Sequence, residues 1–326
     1  MTAVAVDAQV IESAVELGCR APSLHNSQPW RWVAEEKSLQ LFADSSRIGH
    51  HTDSTGREVI LSCGAVLDHV RIAMAAAGWA ASITRYPSAD DPEHLAGLEF
   101  DRAQATADDQ ALADAIGRRR TDRLPFATPD HWDPLAAKLR TLAEDRDVYL
   151  DVIDEDRRAA LVGASRMTEH VRMHEESYHA ELRWWTGQTD PSQGIPPDAV
   201  ASPVEAQHVD VARRFPTGSG GDRRPELDRD ESMILVLSTY DDSPEVALIC
   251  GEVLSTVLLE CTRAGLATCT LTHLMEVSAA RDVVRRQIGR SAQPQVLIRV
   301  GQAPESPSQA QLTPRRPLAE VLTFRS

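Results

Sequence analysis

Two stretches of this chain carry side chains whose types and spacing could do chemistry. Arg118, Arg119 and Arg120 are followed by Thr121, Asp122 and Arg123, the densest positive charge in an otherwise acidic sequence. A guanidinium donates two parallel hydrogen bonds to an oxyanion, so this run beside a hydroxyl and backbone N–H groups suits a phosphate. Arg316, with Arg315 before it and Pro314 and Pro317 flanking the pair, is a second candidate for the same anion, because the prolines restrict its backbone. The other stretch is Pro22, Ser23, Leu24, His25, Asn26, Ser27 and Gln28. Its carboxamides and hydroxyls on a rigid loop suit a planar heterocycle with alternating donors and acceptors. Taken alone, each stretch also fits a plainer reading: a solvated basic face for the first, an ordinary helix-to-strand turn for the second.

Three other groups are set aside on their spacing. His170 and His174 lie four apart, with His179 following, but Val171 after His170 breaks the HExxH pattern of a zinc helix. Gly218, Gly220 and Gly221 look like a dinucleotide loop, yet no strand leads into them and Pro225 follows. Tyr178, Trp184 and Trp185 read as helix packing, with Trp185 a contact for a moving lid. The five cysteines are odd in number and contain no CxxC, which argues against a disulfide framework or a zinc site.

The elements that must position these residues are written twice. Leu61–Ala80 and Leu248–Ala267 align at a constant offset of 187, with identical residues at 61/248, 63/250, 64/251, 66/253, 67/254, 70/257, 77/264, 78/265 and 80/267. Both segments are apolar around most of a helical cylinder and close on Ala-Gly, the signature of a buried helix with a C-terminal glycine. A duplicated unit with one central helix per copy implies a fused pseudo-dimer, with sites between its halves. The chain of 326 residues holds two units. These are 1–117 and 118–326, the second carrying a Pro/Gly/Ser-rich insertion at about 186–227, long enough to be a lid.

The remaining pattern predicts helices over Val10–Arg20, Asp108–Gly117, Asp133–Leu142, Arg157–Trp185 and Ala279–Ile288. Strands are predicted at Arg31–Ala34, Leu39–Ala43, Ala80–Tyr86, Leu98–Asp101, Val148–Ile153, Met233–Thr239 and Gln295–Val300. A net charge of −15 argues against nucleic acid or an anionic membrane as partner. No apolar run reaches about 18 residues, and the first twenty residues lack a basic, then apolar, leader. The reading is a cytoplasmic protein.

Together these motifs resemble the FMN-dependent nitroreductase family. Ala21–Trp30 resembles its APSxxNxQPW segment, Arg119–Arg123 its RRSxR phosphate motif, Ala264–Ala267 its (E/A)GL segment, and Arg315–Leu318 its C-terminal basic pair. Their order and the long insertion resemble the dormancy-associated Acg-type branch. The resemblance implies an α+β nitroreductase-like fold with antiparallel-dominated sheets, and FMN between two halves that stand in for two subunits. It implies that Arg119, Arg120 and Arg316 hold the phosphate, that Arg123 lies near the N1/O2 edge, and that Thr121 and Arg315 also belong to the cofactor site. Pro22, Ser23, Asn26 and Gln28 would reach across from the other half, and the backbone of Ala264, Gly265 and Leu266 would serve N5.

Each motif occurs once. No arginine pair precedes Pro22, position 209 begins Val-Asp-Val-Ala-Arg, and Trp79 stands where the second copy has Leu266. One FMN per chain follows, in a monomer acting as its own dimer. No side chain is nominated as a catalytic acid or base, and no metal is implied. Two functions remain open: a flavoprotein covered by the insertion, with weak or atypical oxidoreductase activity and a role in holding FMN, or an active NAD(P)H-dependent reductase of nitro-aromatics or quinones. The insertion inclines the reading to the first.

Overall fold

The computed structural model describes residues 5–190, 192–216, 221–304 and 312–325. Its first half runs α1 (Ala8–Gly18), β1 (Trp30–Ala34), β2 (Ser38–Ala43), α2 (Arg57–Ala76), β3 (Trp79–Arg85), β4 (His94–Arg102) and α3 (Ala107–Arg118). The second runs α4 (Trp132–Glu144), β5 (Tyr149–Ile153), α5 (Glu155–Arg172), α6 (Glu176–Thr186), α7 (Pro203–Gln207), β6 (Met233–Thr239), α8 (Pro244–Arg263), β7 (Ala267–Leu271), α9 (Ser278–Gln287) and β8 (Gln293–Gly301). A tail adds α10 (Leu318–Val321) and β9 (Leu322–Phe324).

The repeated segments are α2 and α8, and they pack on each other. A Cβ built on Gly64 would sit 2.1 Å from the Leu248 carbonyl oxygen, and one on Gly251 would sit 2.2 Å from that of Leu61. The two contacts exchange under the offset of 187, as a two-fold axis through the crossing requires. One turn on, Ser255 Oγ donates to Asp68 Oδ2 at 2.6 Å, again a pair 187 apart. Only glycine lets the backbones approach so closely, which explains its presence in both copies. Each helix then ends on a left-handed glycine, Gly78 (φ +84°) and Gly265 (φ +77°). By length and apolar content α2 could cross a membrane, but 78% of its apolar window is buried inside the protein; it is a core helix.

Each half wraps its helix with a sheet. One sheet has the order β3-β4-β2-β1-β9 and the other β5-β6-β8-β7. Every pairing is antiparallel except β1 with β9, which places Trp32 beside Leu322. The fold is α+β with two fused pseudo-symmetric halves. A division at residue 117 puts every strand with its own half except β9, which returns to complete the first sheet.

Three elements differ from the sequence reading. The helix expected over 157–185 breaks at 173–175, where Glu175 adopts extended backbone (φ −86°, ψ 90°) before α6. The short run after Gly265 is the edge strand β7, whose alternating Ala267, Thr268, Cys269, Thr270 and Leu271 the sequence reading leaves unassigned. The apolar Leu322–Phe324 is a strand because β1 offers it an unpaired edge.

Candidate functional site

The site begins where α1 ends. Arg20 follows the last turn of α1, and the chain then enters a loop in which His25, Asn26 and Gln28 all have positive φ (51°, 57° and 50°). Three non-glycine residues in that region within four positions mark a backbone held under strain, a condition that concentrates at functional sites. On the other side, Arg119 caps α3 in extended geometry, and the following residues run beside β7, bridged at Thr121 and Thr268. The Asp122 N–H donates to the Thr268 carbonyl at 2.9 Å. The tail brings Arg315 to the same place.

Arg119 and Arg315 converge on the free carbonyls at the end of α1, with the Arg20 guanidinium beside them. Arg119 Nη2 donates to the Arg20 oxygen at 3.1 Å, Arg315 Nε to the Cys19 oxygen at 2.9 Å, and Arg315 Nη2 to the Arg20 oxygen at 3.1 Å. Arg20 Nη2 donates to the Thr313 oxygen at 3.3 Å. Among the described residues no carboxylate pairs with any of the three. The Nε of both Arg20 and Arg119 is buried without a partner. Burial, reinforced by the neighbouring guanidiniums, pushes Arg119 down to about 10 and Arg315 down to about 9. Like charges so placed call for an anion.

These arginines line the small lobe of a two-part cavity, with Asn26, Arg120 and Thr121. Pro22, Ser23, Thr121 and Arg123 are common to it and to a large lobe of about 330 Å³. The large lobe is walled by Leu24, Leu61 and Glu58 from the first half. The second half contributes Leu254, Cys269–His273 and Val296, and the insertion Val200, Val209 and Phe215. Arg123 stands between the lobes, donating to the Ala199 oxygen at 3.1 Å with its guanidinium 5.2 Å from the Phe215 ring centre.

The insertion is pinned from both halves. Asn26 Nδ2 donates to the Gly194 oxygen at 2.9 Å, Gln28 Nε2 to the Ser192 oxygen at 2.8 Å, and Arg47 Nη2 to Gln193 Oε1 at 2.8 Å. Arg224 pairs with Asp122 at 2.6 Å, and Arg213 pairs with Glu276 while donating to the Tyr178 hydroxyl at 2.9 Å. Trp185 stacks near His25, with ring centres 6.4 Å apart.

The structure therefore brings Pro22, Ser23, Asn26, Arg119, Arg120, Thr121, Arg123 and Arg315 around one cavity. Five sequence candidates lie elsewhere. Arg316 turns away from the small lobe, donating to the Gln28 oxygen at 3.1 Å and the Glu320 oxygen at 3.2 Å, and braces the tail against β1. The N–H groups of Ala264, Gly265 and Leu266 donate to Glu260, Thr262 and Cys261, closing α8, and so are spent on the helix end. The second half instead presents β7 and the turn after it, Cys269–His273, to the cavity. Gln28, fully buried, orders the loop rather than lining a lobe. Gly221 lies outside the cavity lining, and Gly218 and Gly220 lie outside the described residues.

Sequence reading missed Arg20, Glu58 and Arg213. A carboxylate in the first turn of so apolar a helix was the available signal for Glu58. Nothing in the pattern marked the others.

An ion-pair cluster occupies the position related to this cavity by the offset of 187. Arg85, equivalent to Thr272 under the offset of 187, reaches Glu252 with Nε at 2.7 Å and Nη2 at 2.9 Å, and Arg146 pairs with the same carboxylate. Glu252 is wholly buried.

Fold and cavity together define a fused nitroreductase-like pseudo-dimer with one composite pocket. No family model matches the chain. It is 52% identical over 322 residues to "Putative NAD(P)H nitroreductase acg" of Mycobacterium tuberculosis (strain ATCC 25618 / H37Rv), covering 98% of this chain and 97% of that protein. It is 36% identical over 322 residues to "Putative NAD(P)H nitroreductase Rv3131" of the same strain, covering 98% and 92%. The chain belongs to the Acg-like NAD(P)H nitroreductase family. A solved FMN-dependent nitroreductase NfnB from Mycobacterium smegmatis in complex with NADPH is 17% identical, covering 67% of this chain and 99% of that one, with a TM-score of 0.42; no reading below rests on that overlap.

Proposed function

We propose that the chain holds one FMN in the composite cavity, its phosphate among Arg20, Arg119, Arg120 and Arg315 and its ring system in the large lobe. The observation that carries this reading is the convergence of three guanidiniums, unpaired with carboxylates among the described residues, at the narrow end of a larger, mostly apolar cavity. A dianionic phosphate neutralises that cluster and satisfies its buried Nε groups, while an aromatic ring system fills the remainder. Arg123 and Ser23, common to both lobes, suit the polar edge of the ring and the chain that joins it to the phosphate. The Arg85–Glu252 ion pair at the counterpart position supports one flavin per chain, and both walls of the site come from one chain, so a monomer suffices.

When bound, FMN supplies two-electron hydride chemistry. This chain's residues position it, exclude water and decide what may stack on it. The insertion, pinned at Ser192, Gly194, Ala199, Arg213 and Arg224, supports a covered flavin with weak or atypical oxidoreductase activity, suited to holding FMN. The names of the relatives favour the alternative, turnover with NAD(P)H and a nitro-aromatic or quinone acceptor, which requires the insertion to open. Anaerobic addition of NADPH, NADH and then dithionite to the purified flavoprotein separates them. Bleaching by dithionite alone is expected for a closed site; rapid bleaching by a pyridine nucleotide would reject it.

A further inference from the structure

Glu58 is the second residue of α2 and lies on the wall of the large lobe. It is 2% exposed, and neither carboxylate oxygen receives a hydrogen bond among the described residues. Its nearest cation, Arg57 Nη2, stands 3.6 Å away, beyond hydrogen-bond distance, and Arg57 donates to Gln295 Oε1 at 3.2 Å. The other charged groups facing it are Asp53 in the loop before α2, Glu276 in the turn after β7, and Arg213 of the insertion. Arg213 is committed to Glu276, and Asp53 caps α2 by accepting from the Val59 N–H at 2.8 Å. Glu58 is thus the acid of this group left without a donor.

A carboxylate buried for structural reasons is hydrogen-bonded or paired, since desolvating an ion without partners costs several kcal/mol. Burial, aided by Glu276 and Asp53 and opposed by Arg57 and Arg213, holds the Glu58 carboxyl well above the usual carboxylate range. In its neutral form it is a donor, which no ionised carboxylate can be. Carbonyl and nitro oxygens are acceptors, and each needs a proton when it takes up a hydride.

We propose that Glu58 is a catalytic acid that protonates an oxygen of the electron acceptor bound in the large lobe, a planar quinone or nitro compound. This rests on the flavin reading above in its turnover form, in which the insertion opens to admit an acceptor. For a quinone, two electrons and one hydrogen arrive as a hydride from the reduced cofactor, which is oxidised. The second hydrogen comes from Glu58: its O–H bond breaks, the electron pair stays on the carboxylate, and a new O–H bond forms on the acceptor, giving the hydroquinone. Water admitted as the product leaves returns the proton to Glu58.

The test compares wild type with Glu58→Gln, a neutral isostere that burial favours. Infrared difference spectra of the two at neutral pH should show a protonated-acid carbonyl band in wild type alone. Both proteins, reduced by dithionite and mixed anaerobically with menadione, report the acceptor step. The variant should bind FMN as wild type does and reoxidise on the order of a hundredfold more slowly. The wild-type rate should fall as pH rises through the Glu58 pKa, while the variant's stays flat. Folding supplies a readout that turnover does not touch. A raised folded pKa contributes stability below the ordinary value of 4.5 and loses it as pH rises toward the folded pKa, so the variant should gain on wild type in Tm as pH increases. A flavin-loaded wild type without the band, or a variant that reoxidises at the wild-type rate, would overturn the assignment. A wild type that takes up no FMN would overturn the flavin reading and the acceptor step with it.

Discussion

Arg315 and Arg316 are adjacent, yet one faces the small lobe and the other the first sheet, and the account separates them experimentally. Arg119→Ala or Arg315→Ala removes one of four charged donors from the proposed phosphate, a loss of about 1.5–3 kcal/mol. FMN affinity, followed by quenching of flavin fluorescence, should fall roughly tenfold to hundredfold. Arg316→Ala should leave FMN affinity unchanged and instead lower unfolding stability by about 1.5–3 kcal/mol, since it strips the bonds to Gln28 and Glu320 that dock the tail. The reverse pattern would return the phosphate to Arg316. Sequence reasoning could find the basic pair but not its orientation, because which arginine faces inward depends on Gln28, a residue 288 positions away, accepting the Arg316 N–H.

At the scale of elements, the crossing of α2 and α8 and the insertion each make a separate demand. Gly64→Ala or Gly251→Ala places a methyl against a carbonyl of the facing helix. Each should cost about 1–3 kcal/mol by chemical denaturation. The double variant should cost less than the sum, because one separation of the helices relieves both clashes. Additive losses would mean that the two sites do not share a contact.

The insertion carries its own pH signature. Burial would raise the Glu205 carboxyl, but hydrogen bonds from Arg223 and from the Ser202 and Arg223 N–H groups outweigh it and hold Glu205 at about 2. Stability from a lowered carboxyl is complete above its ordinary value, 4.5, and fades as pH falls toward 2. Protection of the Ser202 and Arg223 amides from exchange, relative to their intrinsic rates, should therefore fall across that window, and in Glu205→Gln it should already be low at neutral pH. Protection indifferent to acid would show that Glu205 does not hold the insertion.

For the whole molecule, the duplication was legible because paired glycines and flanking residues recur at one spacing, and burial of two equivalent helices preserves that pattern. The phosphate arginines were legible because charge clusters stand out in an acidic chain. What lay hidden depended on tertiary contact. Gly265 is spent closing a helix, and Glu58 acquires its character only from the wall it joins. The tail, too short to read as a strand, completes a sheet built some 290 residues earlier. The same asymmetry between the halves, with the Arg85–Glu252 ion pair at one of two equivalent positions, underlies the proposal of one FMN per chain. The direct measurement is the flavin-to-chain ratio, from the visible absorbance of protein saturated with FMN, freed of excess by gel filtration and quantified by amino-acid analysis. The account predicts one flavin per chain. A ratio of two would mean that the Arg85 cleft also accepts FMN, and a ratio of zero would contradict the composite site itself.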